Sequence, residues 1–169
     1  MESSSSCRPN EVFISFRGED TRKNFVSHLL SALKDRGIRT YFDEDNLQKG
    51  QTIGHELVKA IEESSIAIVV LSCNYVSSTW CLDELVKIME CKNKIESGLI
   101  VFPIFYHVNA SDVRWQENSF FEAFSIHEVN FKDDGEKLKS WREALTQVAN
   151  LAGEEIRGQN EASCIKSPV

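Results

Sequence analysis

The segment Ser77–Leu85 carries the residues whose types and spacing are best suited to chemistry. It follows an apolar run typical of a strand and opens a helix, so we expect it at the carboxyl edge of a parallel sheet, where open α/β folds bind ligands. Trp80 offers an aromatic face and Glu84 a carboxylate about one helical turn later. A flat surface for a ring and a negative charge for a developing cation could together break a bond to a cationic heterocycle.

Both residues also have a plainer interpretation. Glu84 has Cys81 and Ile88 as neighbours on its helix face, which places it at the edge of the apolar stripe. It could be a solvated carboxylate, favoured by the helix dipole and paired with Lys87. Trp80 could be a core anchor under the helix, an interpretation as consistent with its position as stacking against a substrate ring.

A second candidate pair, Arg17 and Gly18, follows the first strand. Gly18 would let the backbone approach a ligand, and Arg17 could contact phosphate or ribose. The plainer alternative is a turn glycine beside a surface arginine. The segment matches neither GxGxxG nor Walker A, so no standard nucleotide fingerprint supports it.

The elements that must position these residues alternate along the chain. Strand signals cover residues 11–16, 38–42, 66–71 and 99–105. Apolar residues at helical spacing cover 25–33, 53–61, 82–89 and 138–148, with a short helix near 120–124 and a polar loop at 43–51. This alternation predicts parallel strands with right-handed crossovers. We therefore predict a flavodoxin-like three-layer α/β/α fold with strand order 2-1-3-4 and a fifth strand that no pattern locates.

Composition limits the classes of function. The 169 residues are enough for one domain, and a net charge of -7 argues against nucleic acid or an acidic membrane as a partner. The five cysteines contain no CxxC, and the four histidines are scattered, so we predict no metal site and a reducing compartment, cytosol or nucleus. Residues 1–10 are Ser-rich and predicted to be disordered, and 154–169 are predicted to be a linker or disordered tail.

Four stretches occur in a recognisable order. They are Val12–Arg22, Trp80–Leu85, Phe102–Tyr106 and Trp141–Leu145. They resemble the opening box, the active-site box and two further boxes of plant TIR (Toll/interleukin-1 receptor) domains. Four ordered motifs at compatible spacing are specific where a single one would not be. The resemblance covers roughly residues 11–153.

The resemblance implies a TIR fold and a role in plant innate immunity and cell death, as in nucleotide-binding leucine-rich-repeat receptors or TIR-only proteins. It implies cleavage of NAD+ or NADP+ at the nicotinamide–ribose bond, with the dinucleotide as substrate and no separate cofactor. Glu84 is then the catalytic residue. Phe16, Arg17, Gly18 and Trp80 are the predicted substrate-binding residues.

The resemblance also implies self-association through TIR–TIR contacts, including contacts with other TIR proteins. A Ser-His pair at the position of Ser27 and His28 packs helix against helix between protomers in the family. The loop around Gly50 contacts the neighbouring protomer and shapes the cleft. We place further contacts at the last helix near Gly153.

The chain departs from the family pattern after the fourth strand. An Asp is replaced by His107, an Asp-Pro pair by Asn109-Ala110, and a Gly-Ser-Phe-Gly run by Asn118–Phe121. These changes bear on loop geometry and activity rather than on the fold.

Two functional hypotheses follow. The first is an NAD+-cleaving enzyme activated by self-association, and the second is a noncatalytic TIR adaptor that recruits other TIR domains. A phosphoacceptor receiver of the same general fold is rejected. That chemistry needs an aspartate at the end of the central strand, where this chain has Leu71-Ser72-Cys73.

Overall fold

The fold is described from a computed structural model, which covers residues 11–17, 25–42, 54–94, 96 and 98–156. The predicted disordered start at 1–10 and the predicted loop at 43–51 lie outside the described residues, as do Gly18 and Gly50.

Five parallel strands form one sheet in the order β2-β1-β3-β4-β5. The strands are β1 (Val12–Ser15), β2 (Thr40–Phe42), β3 (Ile66–Leu71), β4 (Ile100–Tyr106) and β5 (Glu154–Ile156). The helices are α1 (Ser27–Asp35), α2 (His55–Glu62), α3 (Thr79–Asn93), α4 (Ala110–Trp115), α5 (Ser119–Asn130) and α6 (Gly135–Ala149). The predicted parallel α/β fold and the order 2-1-3-4 are confirmed.

Two apolar clusters cover the two faces of the sheet, because successive side chains of a strand point to opposite sides. Phe13, Val69 and Leu71 belong to the larger cluster, to which the helices from α2 to α6 all contribute. Ile14 and Val70 belong to the smaller cluster, which α1 covers. Ser15 shares the parity of Phe13, so its hydroxyl points to the face on which α3 lies.

Residues 154–156 correct the predicted end of the domain. The sequence placed everything after Gly153 in a linker or tail, but Glu154–Ile156 pairs with β4 as the edge strand of the sheet. The segment was missed because two of its three residues are glutamates, and an edge strand with exposed faces needs no apolar pattern. Residues 157–169 lie outside the described part.

Candidate active site

Glu84 lies in the second turn of α3, beside the carboxyl end of β1. Its side chain is only 2% exposed. Ser15 Oγ donates a hydrogen bond to Glu84 Oε1 at 2.7 Å, and Trp80 Nε1 donates to Oε2 at 3.0 Å. The plainer interpretation of Glu84 as a solvated carboxylate is therefore wrong, and the residue lies inside the apolar stripe rather than at its edge. The apolar stripe of α3 is wide enough to include it, since Cys81 and Ile88 beside it are fully buried.

A chain of hydroxyls extends from this carboxylate into the core. Tyr75 Oη lies 2.7 Å from Ser15 Oγ, and both side chains are 0% exposed. Sequence reasoning missed both residues. The available signal was Ser15 itself, a polar residue at the end of an otherwise apolar strand. Tyr75 carries no comparable signal, because only the tertiary fold brings it to Ser15.

The segment between β3 and α3 is held firmly in place. Tyr75 N–H donates to the Ser72 carbonyl at 3.1 Å, and Ser78 caps α3 by accepting a hydrogen bond from the Cys81 amide at 3.1 Å. His127 Nε2, on α5, lies 2.8 Å from the Val76 carbonyl. This loop therefore has a fixed backbone, and Tyr75 and Trp80 take their positions from it.

Trp80 packs on the core, as its plainer interpretation expects, and also makes a polar contact that the sequence did not predict. Its ring is half-buried and packs on the larger apolar cluster, while its indole N–H bonds Glu84. The two residues are four apart on α3, which puts them on one helix face. Trp80 therefore positions one carboxylate oxygen, and its stacking against a substrate stays a prediction.

The residues predicted beside β1 are only partly gathered at the site. Phe16 is 2% exposed and packs against Phe42, so its side chain belongs to the core. Its carbonyl lies 3.8 Å from the Cys81 thiol, which ties the end of β1 to α3. Arg17 is half-buried at the same strand end. The roles of these residues toward substrate stay predictions, as does that of Gly18, which lies outside the described residues.

Burial sets the protonation of the tyrosine. It raises the pKa of the Tyr75 phenol well above its usual value, and the nearby Cys81 and Glu84 add to that effect. The phenol is therefore a neutral O–H group that can donate a hydrogen bond.

The suggested partner of Glu84, Lys87, instead bonds Glu62 on α2 at 3.1 Å. Partial burial works against the ammonium, but the hydrogen bond and charge of Glu62, with smaller contributions from Cys91 and Glu90, raise the pKa of Lys87. The pairing with Glu84 that the sequence suggested is therefore not formed.

The predicted contact residues lie apart from the carboxylate. Ser27 and His28 are exposed on α1. Gly153 is exposed as well, but it lies immediately before β5 and close to β4. A Cβ at this position would lie 2.1 Å from the Pro103 carbonyl oxygen. Gly153 therefore has a structural role in the sheet. Its role between protomers stays a prediction, and that of Gly50 lies outside the described residues.

The loop that departs from the family pattern contains three non-glycine residues with positive φ. They are His107 at 59°, Gln116 at 53° and Asn118 at 57°. Asn118 also has ψ -124°, a conformation that glycine adopts far more readily than other residues. The replaced glycine therefore leaves Asn118 in a strained backbone, partly compensated by its 2.7 Å hydrogen bond to Asp112.

Within the described residues, no cluster of three or more His, Cys, Asp or Glu could hold a metal ion. No helix in the same ranges has the length and apolar character needed to cross a membrane.

Comparison with known proteins gives concordant matches. A family model described as "TIR domain" matches residues 11–167. TMV resistance protein N of Nicotiana glutinosa is 54% identical over 168 residues, which are 99% of this chain and 14% of that protein. Disease resistance protein RUN1 of Vitis rotundifolia is 57% identical over 157 residues, 92% of this chain and 12% of that protein. The chain thus spans a small part of these curated relatives.

A solved structure agrees with these matches. The TIR domains of the activated Roq1 resistosome, which directly recognises the pathogen effector XopQ, are 49% identical to this chain with a TM-score of 0.80. The match covers 94% of this chain and 96% of that one. The predicted TIR fold is confirmed.

Proposed function

Since this chain belongs to the TIR domain family, we propose that it cleaves NAD+ or NADP+ with release of nicotinamide, signals in plant innate immunity and is activated by self-association in the cytosol or nucleus. The observation that carries the proposal is the carboxylate of Glu84, fixed at the carboxyl edge of the sheet by two hydrogen bonds. The similar proteins named above are plant disease resistance proteins, and one similar structure comes from an assembled resistosome.

The reaction needs little more than a fixed negative charge. The bond between ribose C1′ and the nicotinamide nitrogen breaks, and nicotinamide leaves as a neutral molecule with the bonding electrons. Positive charge develops on the ribosyl carbon and ring oxygen, and Glu84 stabilises it. Water then adds to C1′ and loses a proton, which gives ADP-ribose. A carboxylate already oriented by Ser15 and Trp80 needs no reorganisation in the transition state.

Access to the carboxylate links the chemistry to assembly. Glu84 is 2% exposed, so a dinucleotide reaches it only after groups around it other than its two donors, Ser15 and Trp80, move. A second protomer could stabilise the opened arrangement and exclude bulk water from it. The exposed Ser27 and His28 on α1 are the contact residues we propose for that protomer.

A noncatalytic adaptor is the second candidate, and one specific observation favours it. Both oxygens of Glu84 already accept hydrogen bonds in a buried setting, an arrangement that also suits a purely structural carboxylate. In that case the domain acts only by recruiting other TIR domains.

Nicotinamide release from NAD+, measured at a protein concentration at which the wild type self-associates, separates the two candidates. Glu84→Gln keeps the volume of the side chain and removes its charge, and we expect a rate loss of about 10²–10³-fold. Glu90→Gln is the matched control, since Glu90 is an exposed carboxylate on the same helix. Full activity of a folded Glu84→Gln protein would refute the catalytic assignment, and an assembled wild type that releases no nicotinamide would favour the adaptor.

Glu84→Ala is the poorer test of catalysis. It leaves the buried Ser15 hydroxyl without its acceptor, which costs about 1–3 kcal/mol, and it also removes the acceptor of the half-buried Trp80 N–H. Its loss of activity would therefore combine lost charge with lost stability.

A further inference from the structure

The hydroxyl chain behind Glu84 has a direction that follows from counting protons. A serine hydroxyl has one proton and two lone pairs. Ser15 uses its proton in the 2.7 Å bond to Glu84 Oε1, so in the 2.7 Å contact with Tyr75 it must be the acceptor. The order of donation is Tyr75 O–H to Ser15 Oγ, then Ser15 O–H to Glu84.

We infer that Ser15 and Tyr75 are positioning residues that hold Glu84 in its ionised form and in one orientation inside the closed site. The inference rests on the proposed function, because it gives these two hydroxyls their role through the carboxylate. Neither residue has to touch the substrate. Both act on the reaction by fixing the charge that stabilises the ribosyl cation.

Reversing the direction of donation between Tyr75, Ser15 and Glu84 is unfavourable. These hydrogen bonds therefore favour the ionised carboxylate over the protonated one. If Glu84 were protonated and donated to Ser15, Ser15 would donate to Tyr75. The Tyr75 proton would then need another acceptor. Within the described part of the chain, Ser15 is the only hydrogen-bond partner of that hydroxyl, and the side chain is fully buried. A buried donor without a partner is costly, so a proton on Glu84 Oε1 is disfavoured. A proton on Oε2 would weaken the bond from Trp80 Nε1, so the two hydrogen bonds together favour the ionised state of Glu84.

The neighbouring charges on α3 are engaged elsewhere. Asp83 accepts a hydrogen bond from Trp141 Nε1 at 3.0 Å and lies 3.7 Å from Lys137 Nζ. Lys87 pairs with Glu62.

Among the described residues, the titratable groups next to this hydroxyl chain include the neutral Tyr75 phenol and the buried Cys81 thiol, whose Sγ lies 3.8 Å from the Phe16 carbonyl. Arg17 is half-buried at the end of the strand that carries Ser15.

The test uses two substitutions that remove one hydroxyl each, Ser15→Ala and Tyr75→Phe. We expect kcat for nicotinamide release to fall about tenfold in each, since a hydrogen bond to a charged group is lost or weakened, while KM changes little. The acidic limb of the pH–kcat profile should move to higher pH, because the ionised form has lost a donor. Ser64→Ala is the matched control. Ser64 is 1% exposed and its hydroxyl donates to the Ala60 carbonyl at 2.8 Å, remote from Glu84.

A second measurement does not depend on activity. In a double-mutant cycle of urea unfolding at pH 7, Ser15→Ala should destabilise the wild type more than it destabilises Glu84→Gln, because the charged acceptor is present only in the former. The same cycle with Ser64→Ala should give no coupling. Equal cost of Ser15→Ala in both backgrounds would overturn the inference, as would kcat and pH profiles of both variants that match the Ser64→Ala control. If the wild type does not cleave NAD+, the proposed function is refuted. The double-mutant cycle of urea unfolding would then decide by itself whether the Ser15 and Tyr75 hydroxyls hold the Glu84 carboxylate.

Discussion

Single residues at the site depend on partners that are distant in sequence. Glu84 is oriented by Trp80 one turn away and by Ser15, which is 69 positions earlier. Helical periodicity identified the face of α3 on which Glu84 lies, but not its burial. The burial arises from β1 and the segment before α3, which close over that face, and only the fold brings them there.

The backbone at Asn118 gives a prediction at this scale. Asn118 has φ 57° and ψ -124°, which is strained for any residue with a side chain. Asn118→Gly removes the strain together with the hydrogen bond to Asp112, whereas Asn118→Ala removes only the hydrogen bond. We therefore expect the glycine variant to be more stable than the alanine variant by about 1–2 kcal/mol in urea unfolding. Equal stability of the two variants would mean that this backbone is not strained.

The buried His127 gives a prediction on pH. Burial lowers the pKa of the His127 imidazole, although its hydrogen bond with the Val76 carbonyl works in the opposite direction. The ring is enclosed by Phe124, Phe131 and Trp141, and its Nδ1 has no hydrogen-bond partner within the described residues. A charged imidazole is therefore disfavoured in the folded state.

Below the ordinary histidine pKa of 6.5, the unfolded chain binds a proton at this position that the folded chain resists. The contribution of His127 to the free energy of unfolding is thus present above that pH and is lost as the pH falls. We expect wild-type stability to decrease from pH 7 to about pH 5.5 more steeply than that of His127→Asn, which keeps a donor and does not titrate. Parallel pH curves for the two proteins would contradict this assignment.

Among the elements, β5 depends on a single glycine. A Cβ at Gly153 would lie 2.1 Å from the Pro103 carbonyl oxygen and 2.7 Å from a carbon of the proline ring, so β5 would have to move away from β4. Gly153→Ala should destabilise the monomer by about 2–3 kcal/mol in urea unfolding at low protein concentration. Gly135→Ala is the control, since nothing lies within 4 Å of a Cβ at that position. Unchanged monomer stability in Gly153→Ala would leave Gly153 with a role between protomers only.

The helices and strands also show how much of the fold could be predicted from the sequence. The run at 66–71 was predicted with the bounds that β3 has, because a central parallel strand is apolar on both faces. The short helix α4 and the strand β5 were not predicted. Six residues make fewer than two helical turns, which is too few for the spacing of apolar residues to indicate a helix. An exposed edge strand needs no apolar alternation. Of the candidate site, Glu84 and Trp80 were identified from their motif, whereas Ser15 and Tyr75 needed tertiary contacts.

At the scale of the whole molecule, the proposed site and the proposed contact residues lie on different parts of the domain. The Glu84 carboxylate is buried within a single protomer, while Ser27 and His28 are exposed on α1. We expect replacement of both by Ala to weaken self-association and nicotinamide release in parallel, and to leave the fold intact, since exposed helix positions tolerate Ala. Weaker self-association with undiminished release would separate assembly from activity.

The most direct test of NAD+ cleavage coupled to assembly is a concentration series on the wild type. Nicotinamide released per chain is measured across the range in which sedimentation shows monomer becoming oligomer, with Glu84→Gln measured in parallel. We predict release per chain that rises with the oligomeric fraction in the wild type and stays near the background in Glu84→Gln. Release per chain that is flat across that range, or absent throughout it, would contradict the account.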